Sequence, residues 1–229
     1  MRRPGLVIFD CDGVLVDTER LGNQRLSAWL TEAGYRVSYE ECRRRFVGKP
    51  MAAVQEHVEA EGIRLGADFV QRWNDGLPEL FADGLKPIAH VAEAIERIAE
   101  AGIPYCVASS GQLAKMRLTL GMTGLLPRFE DHLFSVSMVA RGKPFPDLFL
   151  HAAAAMGHQP EHCLVIEDSV AGVTAARAAG MGVLAYCGDA EADRPGLEAA
   201  GGRLFGDMRE LPGLLGLDGR RHAPAAAAK

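Results

Sequence analysis

The sequence predicts an α/β protein built on a doubly wound parallel sheet, with a small all-helical unit inserted after the first strand. Short apolar runs suited to strands buried on both faces recur along the chain, and amphipathic helical stretches separate them. That alternation is what right-handed β-α-β crossovers produce. The stretch between the first run and the second carries helical periodicity throughout and no convincing strand.

Leu6-Val7-Ile8-Phe9 is the first apolar run, ended by Asp10. From residue 18 to residue 81 the period turns helical. Leu21, Leu26, Trp29 and Leu30 share a face, Ser38 and Glu41 form an S-x-x-E capping box, and further helices are expected over 51–61 and 68–81. After residues 83–87, Ile88, Val91, Ile95 and Ile98 line one helix face, with Gly102 as its stop. Tyr105-Cys106-Val107-Ala108 is the next strand. A helix near 112–121, a strand near 133–136 and a helix over 146–156 follow. Leu164-Val165-Ile166 precedes a helix over 170–179, a strand at 183–186 and weaker elements to Leu217. Residues 218–229, with four consecutive alanines, are expected to be a tail.

Composition narrows the function classes. A chain of 229 residues with 48% hydrophobic residues fills a core and is not a disordered one. Its formal charge of -5 lacks the positive field that counterion release on nucleic acid requires, so no nucleic-acid partner is expected. No apolar stretch approaches the ~20 residues of a membrane span, and no signal peptide is visible. The five cysteines are odd in number, scattered and without a C-x-x-C pair, which points to buried free thiols and a cytoplasmic protein. A monomer is expected.

In an open parallel sheet, ligands bind beyond the carboxyl ends of the strands. There the chain places Asp10-Cys11-Asp12-Gly13, Ser109-Ser110-Gly111 and Glu167-Asp168-Ser169, with Gly142-Lys143-Pro144 between the last two. Taken singly, Asp12-Gly13 is a turn pair, Ser109-Ser110-Gly111 a loop, Glu167-Asp168-Ser169 a helix cap and Lys143 a solvated charge. Their occurrence in order, each tied to a strand end, outlines a magnesium and phosphate site.

The stretches Asp10-Cys11-Asp12-Gly13-Val14-Leu15-Val16-Asp17-Thr18-Glu19, Val107-Ala108-Ser109-Ser110, Gly142-Lys143-Pro144-Phe145-Pro146-Asp147 and Val165-Ile166-Glu167-Asp168-Ser169-Val170-Ala171-Gly172 resemble the four motifs of the haloacid dehalogenase superfamily. The helical insert resembles the C1 cap of its β-phosphoglucomutase-like subgroup. Within that subgroup the likeness is to bacterial sugar-phosphate phosphatases, including the 6-phosphogluconate phosphatase type. The resemblance implies a core of residues 1–17 and 83–217 and a cap of residues 18–82. It implies a phosphoric monoester hydrolase acting on a small phosphorylated metabolite through an aspartyl phosphate.

Residues i and i+2 of an extended chain project to one side, so Asp10 and Asp12 face the substrate and Cys11 points elsewhere. As the family does it, Asp10 is the nucleophile and Asp12 the general acid and base. Ser109 and Lys143 hold the phosphoryl group, and Ser110, Gly111 and the cap-loop Lys49 are expected at the substrate. Mg2+ would be held by Asp10, the backbone carbonyl of Asp12, Asp168 and, directly or through water, Glu167. Hard oxygen donors suit this ion, and the seven histidines, scattered without ligand spacing, give no zinc centre. Arg43-Arg44-Arg45 reads as a solvated helix face.

Rival readings are weaker. A serine nucleophile elbow needs glycine two residues before and after the serine; Ser109 follows Val107, and Ser110 stands between Ala108 and Gln112. A carbon–halogen hydrolase has no use for Asp12, and a non-catalytic scaffold would be missing a motif residue. A β-phosphoglucomutase-type mutase is the alternative reading. It needs a cap-entry histidine and a cap-loop arginine, where this chain has Gly22 and Met51.

Overall fold

Leu6–Phe9 forms β1, the strand at the middle of the molecule, with every residue buried. The computed structural model describes residues 3–217 apart from Asp83 and Glu130, so the expected tail at 218–229 lies outside the described residues. β1 is followed by α1 (Glu19–Glu32), α2 (Tyr39–Phe46), α3 (Met51–Ala60), α4 (Phe69–Asp75) and α5 (Leu77–Phe81) before the sheet resumes. The remaining strands are β2 (Tyr105–Ser109), β3 (Leu133–Ser135), β4 (Cys163–Glu167), β5 (Gly182–Tyr186) and β6 (Arg203–Phe205). The helices among them are α6 (Val91–Glu100), α7 (Leu113–Met122), α8 (Asp147–Ala155), α9 (Val170–Ala178), α10 (Arg194–Ala199) and α11 (Leu211–Leu214).

All strand pairs are parallel, in the order β3-β2-β1-β4-β5-β6. This is the doubly wound order the alternation predicts, and its reversal beside β1 opens the crevice where β1 and β4 end. Alternate residues of the strands feed opposite faces. Val7, Phe9, Val107 and Ile166 pack under α6, α7 and α11, whereas Leu6, Ile8, Ala108 and Val165 pack under α8, α9 and α10. The second layer is rich in alanine, with Ala152, Ala153, Ala175 and Ala176 all buried, so those helices lie close against the sheet. Each large aliphatic or aromatic side chain buried this way contributes roughly 1.5–3 kcal/mol, which fixes the strand ends as a rigid platform.

The inserted helices carry a separate hydrophobic cluster that includes Leu26, Leu30, Phe46, Val54, Phe69, Trp73 and Phe81. Where the chain leaves and re-enters the sheet region, Val16 bridges Pro87 in antiparallel fashion, Asp17 N–H donates to the Lys86 carbonyl at 2.9 Å and Ile88 N–H to that of Leu15 at 3.0 Å. Two details differ from the sequence reading. The helix expected over 68–81 breaks at Gly76, because Pro78 has no N–H to carry the helical bonding across, and the Arg25 guanidinium donates to the Gly76 carbonyl at 2.7 Å. The Ser38 half of the capping box forms, with Glu41 N–H donating to its hydroxyl at 3.1 Å, while the Glu41 carboxylate pairs with Arg45. Among the described residues no helix is long and apolar enough to cross a membrane.

Candidate active site

Asp10 stands one residue past β1, its N–H donating to the Ile166 carbonyl at 2.9 Å. That bond continues the β1–β4 register, so Asp10 lies level with Glu167, the last residue of β4. The Lys143 ammonium spans the two acids, 2.8 Å from Asp10 Oδ1 and 2.5 Å from Glu167 Oε1, with its side chain only 2% exposed. A buried cation of this kind persists only with such partners. Glu167 Oε2 accepts from the N–H groups of Asp168 and Ser169 and from the Ser169 hydroxyl, at 2.8, 2.7 and 2.9 Å. Both Glu167 oxygens are therefore held by the protein itself.

Asp168 is different. Among the described residues no group hydrogen-bonds its carboxylate, which lies against Gly13. A Cβ at Gly13 would collide with it, and the positive φ of 76° there favours glycine. One oxygen from each of Asp10, Glu167 and Asp168 lies within 4.8 Å of the other two. Burial pushes the Asp10 carboxyl up to about 7, with Glu167 and Asp12 adding to the rise and Lys143 opposing it. Burial, then Glu167 and Asp10, push Asp168 well above the carboxylate range. Three clustered acids, one of them without a donor, against a single lysine leave a deficit of positive charge. An all-oxygen donor set of this kind suits a hard divalent cation.

Asp12 shares the cavity with Asp10, while Cys11 between them turns into the core at 1% exposure, as the alternation predicts. Burial raises the Cys11 thiol well above its ordinary value, so it is inert. The Asp12 carboxylate accepts from the Thr18 hydroxyl at 2.6 Å on one oxygen and from Lys115 Nζ at 2.8 Å on the other. Burial works to raise Asp12, but the charge and hydrogen bond of Lys115, with Thr18, outweigh it and hold the carboxyl below its usual value. Two acids two residues apart are thus driven in opposite directions.

Ser109 ends β2, buried, its hydroxyl accepting from Gly111 N–H at 3.0 Å. Ser110 and Gly111 line the same cavity, and Ser135 holds their loop by donating to the Gly111 carbonyl at 2.8 Å. The inserted helices roof the cavity with Leu26, Phe46, Val70, Trp73, Leu77 and Phe81. Lys49 reaches it from the loop between α2 and α3, its ammonium 5.9 Å from the Phe46 ring. Gly48 beside it, at φ 75°, packs that loop against Ser169, which a Cβ would approach to 3.1 Å. The cavity holds about 180 Å³, below the ~300 Å³ at which drug-sized sites begin, a size that fits a small metabolite.

Every site residue read from the sequence lines this cavity except Glu167, which lies beneath it bonded to Lys143. Sequence reading missed Lys115 and Asn23 and gave no role to Thr18 and Glu19 of the first motif stretch, all of them on the wall. One signal for Lys115 was available: a lysine in the first turn of a helix, where the macrodipole disfavours a cation. The reading of Arg43-Arg44-Arg45 as a solvated face needs correction. Arg44 is exposed, but Arg43 is 11% exposed and ion-paired to Asp189 and Glu191, and Arg45 bonds Tyr35 and Glu41.

Comparison with known proteins gives the family. The family model for haloacid dehalogenase-like hydrolases matches residues 4–180. A 6-phosphogluconate phosphatase of Escherichia coli is 35% identical over 193 residues, covering 82% of this chain and 85% of that protein. Hexitol phosphatase A of the same organism is 31% identical, over 83% and 85%. Among solved structures, a conserved haloacid dehalogenase-like protein of Agrobacterium tumefaciens, of unknown function, superimposes with a TM-score of 0.79 at 36% identity, over 93% of this chain and 97% of that one.

Proposed function

The chain belongs to the haloacid dehalogenase-like hydrolase family, and from that premise we propose that it is a Mg2+-dependent phosphatase of a small phosphorylated sugar or sugar acid, working through an aspartyl phosphate on Asp10. The observation that carries the reading is that two acids two residues apart share one cavity but are held by different partners. Asp10 is gripped by Lys143 at the metal cluster, and Asp12 is held apart from it by Lys115 and Thr18. One is placed to bond phosphorus and the other to handle protons.

Asp10 attacks the phosphoryl group, forming its bond to phosphorus as the ester bond breaks; Asp12, carrying a proton once the phosphate anion stands beside it, gives that proton to the departing oxygen and is left as the carboxylate that Lys115 and Thr18 hold. Water, deprotonated by Asp12, then displaces the phosphoryl group from Asp10 as inorganic phosphate. Ser109 and Lys143 stabilise the charge that spreads over the equatorial oxygens. Asp10, the backbone carbonyl of Asp12 and Asp168 would hold Mg2+, with Glu167 ordering Lys143 and the start of α9. The ion, when bound, offsets the repulsion between carboxylate and phosphate.

Residues 18–82 act as a cap that swings on the paired segments at Val16 and Pro87, admitting substrate when open and excluding water when closed. Ser110, Gly111 and Lys49 contact the organic part. The mutase alternative finds little support. Gly22 and Met51 stand on the cavity wall, and neither carries a charge or proton-transfer group to grip a second phosphate.

Phosphate release from a panel of sugar phosphates, sugar-acid phosphates and phosphoglycolate, with and without Mg2+, tests this. Metal-dependent release from the sugar and sugar-acid esters is expected. With β-glucose 1-phosphate and catalytic glucose 1,6-bisphosphate, glucose 6-phosphate forming faster than inorganic phosphate would overturn the phosphatase in favour of the mutase.

A further inference from the structure

Lys115 is the third residue of α7, at the positive end of the helix, and Gln112 ahead of it supplies no side-chain cap. A cation in that turn is disfavoured by the macrodipole, so something else must compensate. The compensation is Asp12. The Lys115 side chain is 23% exposed, and its ammonium donates to Asp12 Oδ2 at 2.8 Å. Thr18, just before α1, donates to Oδ1 at 2.6 Å. An ammonium and a hydroxyl, both donating, hold the carboxylate form with its two torsions fixed. A carboxylate has about four lone-pair sites, so a free one remains on each oxygen for water or substrate.

The electrostatics of the cavity give the clamp a purpose. Asp10 and Glu19 both set like charge against Asp12. Without a fixed counterion that repulsion would turn the carboxylate away from the phosphoryl site. We propose that Lys115 is a positioning residue that aims the Asp12 carboxylate at the water attacking the aspartyl phosphate. In that step the water oxygen bonds phosphorus and its proton passes to Asp12. The bond from phosphorus to Asp10 breaks, and its electron pair returns to the Asp10 carboxylate. The proposal rests on the reading of Asp12 as base, and it makes the second half-reaction the one sensitive to Lys115.

Acetyl phosphate is a suitable probe, because acetate leaves from phosphorus without needing a proton. With acetyl [32P]phosphate and Mg2+, Lys115→Met should form the phosphoenzyme at a rate near wild type yet release inorganic phosphate on the order of 10–100-fold more slowly, in keeping with general-base contributions. Labelled protein should therefore accumulate at acid quench, and Lys115→Arg should reverse part of that accumulation. Slow release without accumulation, or unchanged release, overturns the role of Lys115. Asp12→Asn separates the two readings. Accumulation there but not in Lys115→Met removes only Lys115, whereas no accumulation in either removes Asp12 as base and the proposal with it. No phosphoenzyme in any protein removes the aspartyl-phosphate reading as well.

Discussion

The rim of the sheet and the roof formed by the inserted helices meet across one cavity, yet they are built on opposite principles. At the rim nearly every charge is matched at hydrogen-bond distance: Lys143 with Asp10 and Glu167, Lys115 and Thr18 with Asp12. The roof is mostly apolar, and Lys49, its exposed cation, has no ion pair among the described residues. Matched groups on rigid strand ends suit chemistry, which fails when a reacting group strays by an ångström. An apolar surface with one uncommitted charge suits selection among substrates. Changes at the rim should therefore alter the rate, and changes in the roof should alter the choice of substrate.

The sharpest way to break that division is Asp10→Asn. No neighbour can supply its covalent role, since Asp12 is committed to Lys115 and Thr18, so phosphate release should fall about 10³-fold or more. A near wild-type rate would end the nucleophile assignment.

Removing the metal tests the same cluster through stability. In the metal-free protein Asp10 keeps its proton up to about pH 7, whereas the ordinary carboxyl value is 3.8. Between those values the folded chain binds more protons than the unfolded one, so this group's contribution to stability falls as pH rises. In EDTA, Asp10→Asn should melt a few degrees above wild type at pH 7.5. The gap should shrink toward pH 4, and saturating Mg2+ should reduce it at pH 7.5. A gap independent of pH would remove the charge explanation.

A roof change should look different. Lys49→Ala should raise KM roughly 5-fold for a phosphorylated sugar acid, whose carboxylate gives the lysine a partner, and much less for a neutral sugar phosphate. The turnover rate should hardly move. A fall in kcat with unchanged KM would place Lys49 in the chemistry instead.

The contrast also explains what was legible in the sequence. The rim residues sit immediately behind apolar strand runs, as Asp10 follows Leu6–Phe9 and Asp168 follows Cys163–Glu167, so topology alone gathers them. The strand and helix order was legible for the same reason. The contacts of Lys115 and Arg43 were not, for all the oddity of a lysine in the first turn of α7. Their partners lie 103 and 146 positions away, and which face of α7 or α2 meets them depends on how helices dock. The break at Gly76 escaped because apolar spacing was followed through Gly76-Leu77-Pro78, although proline lacks the N–H that a continuous helix needs there.

Arg43 offers the smallest and most specific test, because it joins the two regions. From α2 in the roof, its guanidinium reaches Asp189 at 2.6 Å and Glu191 at 3.1 Å, just beyond β5. The arginine is largely buried, but both acids are about half exposed, so the pairs are screened and together worth on the order of 1 kcal/mol. If the cap swings, these bonds exist only when it is closed over substrate. Removing them weakens the closed state alone, so Arg43→Ala should raise KM about 2- to 4-fold with little change in melting temperature. Salt should erase the difference, since screening weakens the bridge in wild type and has nothing to weaken in the variant. The KM ratio of variant to wild type should approach one as ionic strength rises from 0.05 to 0.5 M. A ratio that stays constant with salt would mean that Arg43 supports the roof's own packing and has no part in holding it to the rim.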